Sequence, residues 1–383
     1  MAIYKKLVLL KLITILITIS ILYMFNLTVD PYGLKESDKL ESKIIFSQSE
    51  RIKKIVLSKN FYPEKIFLGT STVRDGITKD LYDEKTLNVS FNSQSPFESY
   101  NLLIHLNKKN LKEVNIGLDF FIFSKYWEET LYQRGFNENI YDAPFKSKIR
   151  KLKLNLSKDT LNASLLELKY GNDLFLSKSE AKDFFYNFQN TDFEKFDLNK
   201  IIYYQKKLRQ FNYDENFEYS KSKSKFNSFD SLIKIIKICK KKKIKINLII
   251  NPTHRSEKFL LSQIGLKDNF LHWTKFLYKI AKDYDIDLIN LSSINGYTDA
   301  KISQFNHNFS DPIHFRLNLS NFYMNEIKLN HNSLFYYKNL SHSKFKINYE
   351  HEIDSFKDEL GVSLGRVIEE ISFTNFVGIE VNE

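Results

Sequence analysis

The chain has 383 residues, 43% of them hydrophobic and 15% aromatic, enough for a substantial core in one large domain with insertions or in two smaller domains. Its single cysteine, Cys239, excludes an internal disulfide. The formal charge of +11 points to anionic partners, but the lysines are spread along the chain apart from one dense run at Lys240–Lys243. An anionic membrane surface or wall polymer therefore fits better than nucleic acid.

At the amino terminus, Lys5 and Lys6 precede an apolar stretch from Leu7 to Leu27, interrupted by Lys11, some threonines, Ser20 and Asn26. About 20 apolar residues span a bilayer core, and the long side chain of Lys11 can reach the headgroups at the nearer end. A cleavable signal peptide is the rival, but no Ala-x-Ala-like site follows the apolar run. Basic residues beside a span stay in the cytoplasm. The expected topology is residues 1–6 inside, 7–27 as a single transmembrane anchor, and the carboxyl-terminal domain extracytoplasmic. Residues 28–60 read as a linker, opened by the turn Asp30-Pro31-Tyr32-Gly33 and carrying helical apolar spacing at Ile44, Ile45, Ile52 and Ile55.

Lys65 to Leu68 is an apolar run long enough for one buried strand and too short for a helix. It stops at Gly69-Thr70-Ser71-Thr72, small residues that turn sharply and put a hydroxyl on the rim of a sheet; a plain turn is the bland alternative. Thr86–Ser90 reads as a second strand, followed by the polar loop Phe91–Pro96, which contains Ser93, and by a helix over Phe97–Leu106. Val114–Asp119 is a third strand, leading into Phe120, Phe121 and Phe123. From about 125 to 229 the chain is rich in lysine and aromatics, with helical spacing at Leu161, Leu165, Leu166 and Leu168, and reads as a helical insertion. The strand–helix alternation then resumes: an amphipathic helix at Phe229–Lys241 holding Cys239 as a packing residue, a strand at Ile244–Ile250, a helix at Phe270–Tyr284, a strand at Ile286–Leu291 and a helix at Leu319–Leu329. Residues 346–383 carry an excess of acid and read as a tail.

Strands alternating with helices imply an α/β fold: a doubly wound, mostly parallel five-stranded sheet in a domain spanning 61–345. In such a sheet the carboxyl ends share one rim, and ligands bind there. Ser71, Ser93, Asp119, His254, Asp311 and His314 all fall after strands and are candidates for one crevice. A serine hydroxyl needs an imidazole to take its proton, and the imidazole needs an acceptor to set its tautomer. Asp311 and His314 are three residues apart, so one turn brings both to the rim with Ser71. The alternative is that Asp311 caps the final helix region and His314 packs.

Gly69-Thr70-Ser71, the Asn88–Pro96 loop, Gly117-Leu118-Asp119 and Asp311-Pro312-Ile313-His314 resemble the four blocks of the SGNH (GDSL-type) hydrolases, over about Phe61 to Leu329. The resemblance is to the membrane-anchored branch that includes proteins of surface-polymer O-acetylation and D-alanylation. It implies an SGNH or flavodoxin-like sheet with Ser71 as nucleophile, His314 as base and Asp311 as its partner. Two residues depart from the pattern. Ser93 stands at the second-block glycine, an oxyanion donor through its amide, and Asp119 stands at the third-block asparagine. An ionised carboxylate repels an oxyanion, so Asp119 is protonated, or points away, or impairs catalysis.

Arg74 either holds an anionic substrate or forms a salt bridge within the fold; His254 either contacts substrate or makes a structural hydrogen bond. No tight ligand spacing indicates a metal, no glycine loop cradles a phosphate, and no cofactor is expected. The expected function is a serine acyl-ester enzyme, an O-acyltransferase or esterase, acting on a cell-envelope glycan, with a membrane protein as acyl donor in the transferase case. The competing expectation, motivated by Ser93 and Asp119, is a catalytically silent glycan-binding or scaffold subunit.

Overall fold

The computed structural model describes residues 2–31, 54–55, 62–77, 81, 83–106, 108–124, 127, 155–170, 199, 201–203, 226–293, 297–299, 301 and 308–361. The elements in chain order begin with α1 (Ala2–Val29), β1 (Lys65–Leu68), α2 (Ser71–Gly76), β2 (Thr86–Asn88), α3 (Pro96–His105), β3 (Glu113–Leu118) and α4 (Lys158–Tyr170). They continue with α5 (Ser228–Lys241), β4 (Lys245–Ile250), α6 (Arg255–Gln263), α7 (Lys267–Tyr284), β5 (Asp287–Asn290), α8 (Leu317–Leu329) and α9 (His342–Leu360). By internal contacts the chain divides into two compact units, one of residues 1–62, 101–107 and 137–188 and one of 63–100, 108–136 and 189–383.

In the first unit, Tyr4–Val29 forms a 26-residue stretch of helix that is long and apolar enough to cross a membrane, by length and composition. At 1.5 Å per residue it reaches about 39 Å, against a hydrocarbon core of about 30 Å. Asn26, near its end, is buried and donates its amide to the Asn155 carbonyl at 2.7 Å. The leucine spacing over 161–168 is helical as expected, within α4. Of the expected linker helix around Ile44–Ile55 only Lys54 and Ile55 are described, both helical, and most of the expected insertion lies outside the described residues.

The second unit holds a five-stranded, all-parallel sheet in the order β2-β1-β3-β4-β5. A parallel sheet is covered on both faces, so its central strands are apolar on both. In β3 and β4 every residue after the first strand position is buried. Their polar exceptions, Asn115 and Asn247, stand opposite each other in register, and the Asn247 amide donates to Asn115 Oδ1 at 2.7 Å and to Glu113 Oε1 at 3.0 Å. Polar side chains in a core are tolerated when paired in this way.

The order of strands reverses between β1 and β3, and such switch points are where open α/β sheets bind ligands. Ser71 follows β1 and Asp119 follows β3, so both stand at that crevice. Close packing there depends on Gly117, because a β-carbon at that position would lie 2.2 Å from Val73 Cγ2 and 2.6 Å from Asn251 Oδ1. Only glycine lets β3 approach α2 and the end of β4 this tightly.

Helix α5 starts at Asn227, whose side chain accepts from the Asp230 amide, and ends in Lys240 and Lys241, where cations suit the helix dipole. Cys239 is fully buried on its inner face, and burial pushes its thiol up to about 12, so it packs and does not react.

The structure corrects the sequence reading in three places. Ser71 opens a short helix, α2, and does not sit in a bare turn. Arg255–Gln263 is a helix that the apolar spacing did not reveal, since its buried face includes Arg255, Ser256, Glu257 and Lys258. The acidic stretch read as a tail from 346 is helical to Leu360, in α9, which starts at the Ser341 cap. Its acids face partners on α6 and α7: Glu352 pairs with Lys258 at 2.6 Å, Glu350 with Lys267 at 2.6 Å, and Glu359 with Arg255.

Candidate active site

The sharp turn after β1 is built by Gly69 and Thr70. Gly69 has a φ of +155°, and an added β-carbon would meet Val73 Cγ2 at 2.5 Å. Thr70 caps α2 in an extended conformation, its hydroxyl accepting from the Thr72 amide. The chain thereby delivers Ser71 to the sheet rim as the first residue of α2.

On the opposite side of the crevice, Asp311 folds its own loop. Its Oδ1 accepts from the Ile313 and His314 amides, each at 2.9 Å, and the Ser310 amide donates to the His314 carbonyl at 2.9 Å. Its other oxygen, Oδ2, lies 2.6 Å from His314 Nδ1. Asp311 therefore orients the imidazole and folds its own loop; it does not cap the final helix, α8, whose N-cap is Arg316 with no side-chain cap. With the Nδ1 proton directed to the carboxylate, Nε2 is free to accept, and it lies 2.8 Å from Ser71 Oγ.

Burial works to raise the Asp311 carboxyl and to lower the His314 imidazole. Their mutual attraction and hydrogen bond outweigh burial in both, so Asp311 is held far below the usual carboxylate range and His314 is raised. Ser71 is 8% exposed and the side chains of His314 and Asp311 are 26% and 30% exposed. The three lie at the rim, within reach of a substrate. Chemically the arrangement can pass the Ser71 proton to Nε2 while Asp311 stabilises the resulting imidazolium.

No family model matches this sequence, and no curated protein matches it. Among solved structures it is similar to a Streptococcus pneumonia protein that carries the provisional description of a platelet activating factor. The two are 12% identical with a TM-score of 0.34, over 74% of this chain and 90% of that one.

The remaining candidate residues divide. Ser93 lies in a loop tied to the nucleophile turn: the Phe91 amide donates to the Gly69 carbonyl and the Gly69 amide to Gln94 Oε1. It holds φ at +59°, the left-handed conformation that glycine adopts freely, and its carbonyl accepts from Trp127 Nε1 at 3.3 Å. Arg74 turns its guanidinium onto the adjacent Asp75, at 2.6 and 2.8 Å, which is the salt bridge of its two expected roles. His254 is fully buried, so it has no face open to a substrate. It caps α6 through Nδ1, which accepts from the Ser256 amide, and its own amide donates to the Pro312 carbonyl at 2.9 Å. It thereby braces the loop that carries Asp311 and His314.

Asp119 is 5% exposed and turns both oxygens into a buried network. Oδ2 accepts from the Thr70 hydroxyl at 2.5 Å and the Thr72 hydroxyl at 2.8 Å, and Oδ1 accepts from the Asn251 amide at 2.9 Å. Burial raises its carboxyl, and these hydrogen bonds oppose the rise. Asn251, Thr70 and Thr72 had no assigned role in the sequence reading. The available signal was register: β3 and β4 end side by side at Leu118 and Ile250, so the residues that follow, Asp119 and Asn251, become neighbours.

Proposed function

We propose that the protein is a membrane-anchored serine acyl-ester enzyme of SGNH type that works through an acyl-Ser71 intermediate. The observation that carries the reading is the hydrogen-bonded line Ser71–His314–Asp311, with steps of 2.8 and 2.6 Å, at the switch point of a parallel sheet. In the first half-reaction Ser71 Oγ attacks the ester carbonyl carbon as its proton passes to His314 Nε2. The carbon–oxygen bond to the leaving alcohol then breaks, and the alcohol leaves with that proton. In the second half-reaction water or a glycan hydroxyl attacks the acyl-serine, giving hydrolysis or transfer. The sequence resemblance to envelope-polymer modifying proteins supports a cell-envelope glycan as acceptor or substrate.

The silent-subunit reading drew on Asp119, whose charge at the third block would oppose an oxyanion. The engagement of both its oxygens by Thr70, Thr72 and Asn251 weakens that objection. A fluorophosphonate probe should label the full chain in detergent, and Ser71→Ala should abolish the labelling. Labelling that survives the substitution would remove Ser71 as nucleophile. Surface polysaccharide from cells expressing Ser71→Ala then separates the two half-reactions: loss of an ester substituent indicates transfer, and its accumulation indicates hydrolysis.

The envelope assignment also requires the domain to lie outside the cytoplasm. Lys5 and Lys6 precede α1, and the next basic residue after the apolar run is Lys35, a bias that retains the amino terminus inside. A reporter active only outside the cytoplasm, fused after Asn60, should be active and membrane-bound. An inactive fusion excludes an envelope substrate, and an active but released, shortened product identifies a cleaved signal.

A further inference from the structure

We propose that Asp119 is a positioning residue that clamps the nucleophile turn; the proposal rests on the reading of Ser71 as nucleophile. Ser71 is flanked by two threonines, and both send their hydroxyls to the same Asp119 oxygen, Oδ2. One carboxylate at the end of β3 thus holds the residue before and the residue after the reacting hydroxyl. The clamp is closed from β4. The Asn251 amide donates to Asp119 Oδ1 and to Thr72 Oγ1, each at 2.9 Å, and Asn251 Oδ1 accepts from the Tyr323 hydroxyl at 3.4 Å, which fixes which way the amide points.

The donor inventory matches a carboxylate. Thr70, Thr72 and Asn251 bring three protons to two oxygens, and among the described residues no lysine or arginine pairs with Asp119. Glu257 on α6 lines the same small cavity as Asp119 and Asn251.

The substitution at the third block thereby exchanges one device for another. An asparagine would offer an N–H to the oxyanion; Asp119 instead orders the serine turn. Small displacements of a nucleophile cost roughly a hundredfold in rate, so clamping both flanking residues is a direct lever on acylation.

The test compares Asp119→Asn and Thr72→Val with the wild-type full chain in detergent. The readout is the rate of fluorophosphonate labelling. Asp119→Asn should slow labelling roughly tenfold to a hundredfold. Thr72→Val removes one arm of the clamp and should slow it as well, whereas Thr72→Ser keeps the hydroxyl and should label at close to the wild-type rate. Wild-type labelling rates in both Asp119→Asn and Thr72→Val overturn the clamp. Should Asp119→Asn fail to fold, Thr70→Val and Thr72→Val decide the clamp by the same rate measurement. If the wild-type chain itself takes no probe, the enzymatic reading falls; a labelled wild type with unslowed variants overturns the clamp alone.

Discussion

His314→Ala should lower the rate of Ser71 acylation by about 10⁴-fold, and Asp311→Asn should come close to it, by analogy with other serine triads. The two losses should not add. Without the imidazole nothing takes the Ser71 proton, so the orienting carboxylate has nothing left to orient, and the double variant should fall no further than His314→Ala. The 2.6 Å contact between Asp311 and Nδ1 makes the asparagine variant informative. An asparagine amide facing Nδ1 favours the tautomer with its proton on Nε2, which donates to Ser71 and cannot accept from it. The pH dependence has a definite sign. His314 is raised above the ordinary imidazole range, and only its neutral form is a base. Labelling should therefore increase with pH through a midpoint above that of a free imidazole, and it should be lost on the acid side. Rates within tenfold of wild type for His314→Ala would remove the imidazole from the mechanism, whatever the static distances.

The second large effect concerns stability. Lys258→Met should destabilise the chain by about 3–5 kcal/mol, because it leaves Glu352 as an uncompensated buried charge. Lys258 and Glu352 are both 0% exposed at the side chain and 2.6 Å apart. Lys258 Nζ also donates to the Thr253 carbonyl at 3.1 Å, and Thr298 donates to Glu352 Oε1 at 2.6 Å. The pair thus ties α9 to α6 and to the Thr253–His254 segment that braces the triad loop. Pairing Lys258→Met with Glu352→Leu should recover most of the loss, since replacing a buried ion pair by apolar residues of similar volume is often neutral. Denaturant unfolding of both variants, with the wild-type chain alongside, measures this. A single-variant loss below about 1 kcal/mol would mean that water or rearrangement compensates Glu352, and that α9 is held mainly by its aromatic contacts, such as the stacking of Tyr349 on Phe270 at 5.3 Å.

The apolar runs at 65–68 and 244–250 were legible as strands because a buried parallel strand must be apolar on both faces, and no helix of that length could be. Five such runs separated by helical stretches were enough for a parallel α/β sheet, and the rim positions of Ser71, Asp311 and His314 follow from that topology. Helix α6 was not legible for a related reason. Its inward face carries Arg255, Glu257 and Lys258, so the hydrophobic period that reveals a helix is missing. Two of those charges, Arg255 and Lys258, are met there by Glu359, Ser355 and Glu352 of α9. Read linearly, the same acids look like a solvated tail.

What the sequence by itself determined is therefore the local part: apolar strands, an apolar amino-terminal helix, a small-residue turn presenting Ser71, and an Asp-x-x-His spacing that one turn brings to the rim. What only the tertiary structure decided is every relation between distant segments. The 2.8 Å step from Ser71 to His314 joins residues 243 positions apart. The hydrogen bond from Asn251 to Asp119 depends on register placing the two side by side. His254 serves as a cap and brace because the Asp311–His314 loop crosses its amide. Hydrogen bonds and burial act over a few ångströms of space, whereas periodicity acts over a few residues of chain, so the fold class can be read along the sequence and the chemistry of the crevice cannot.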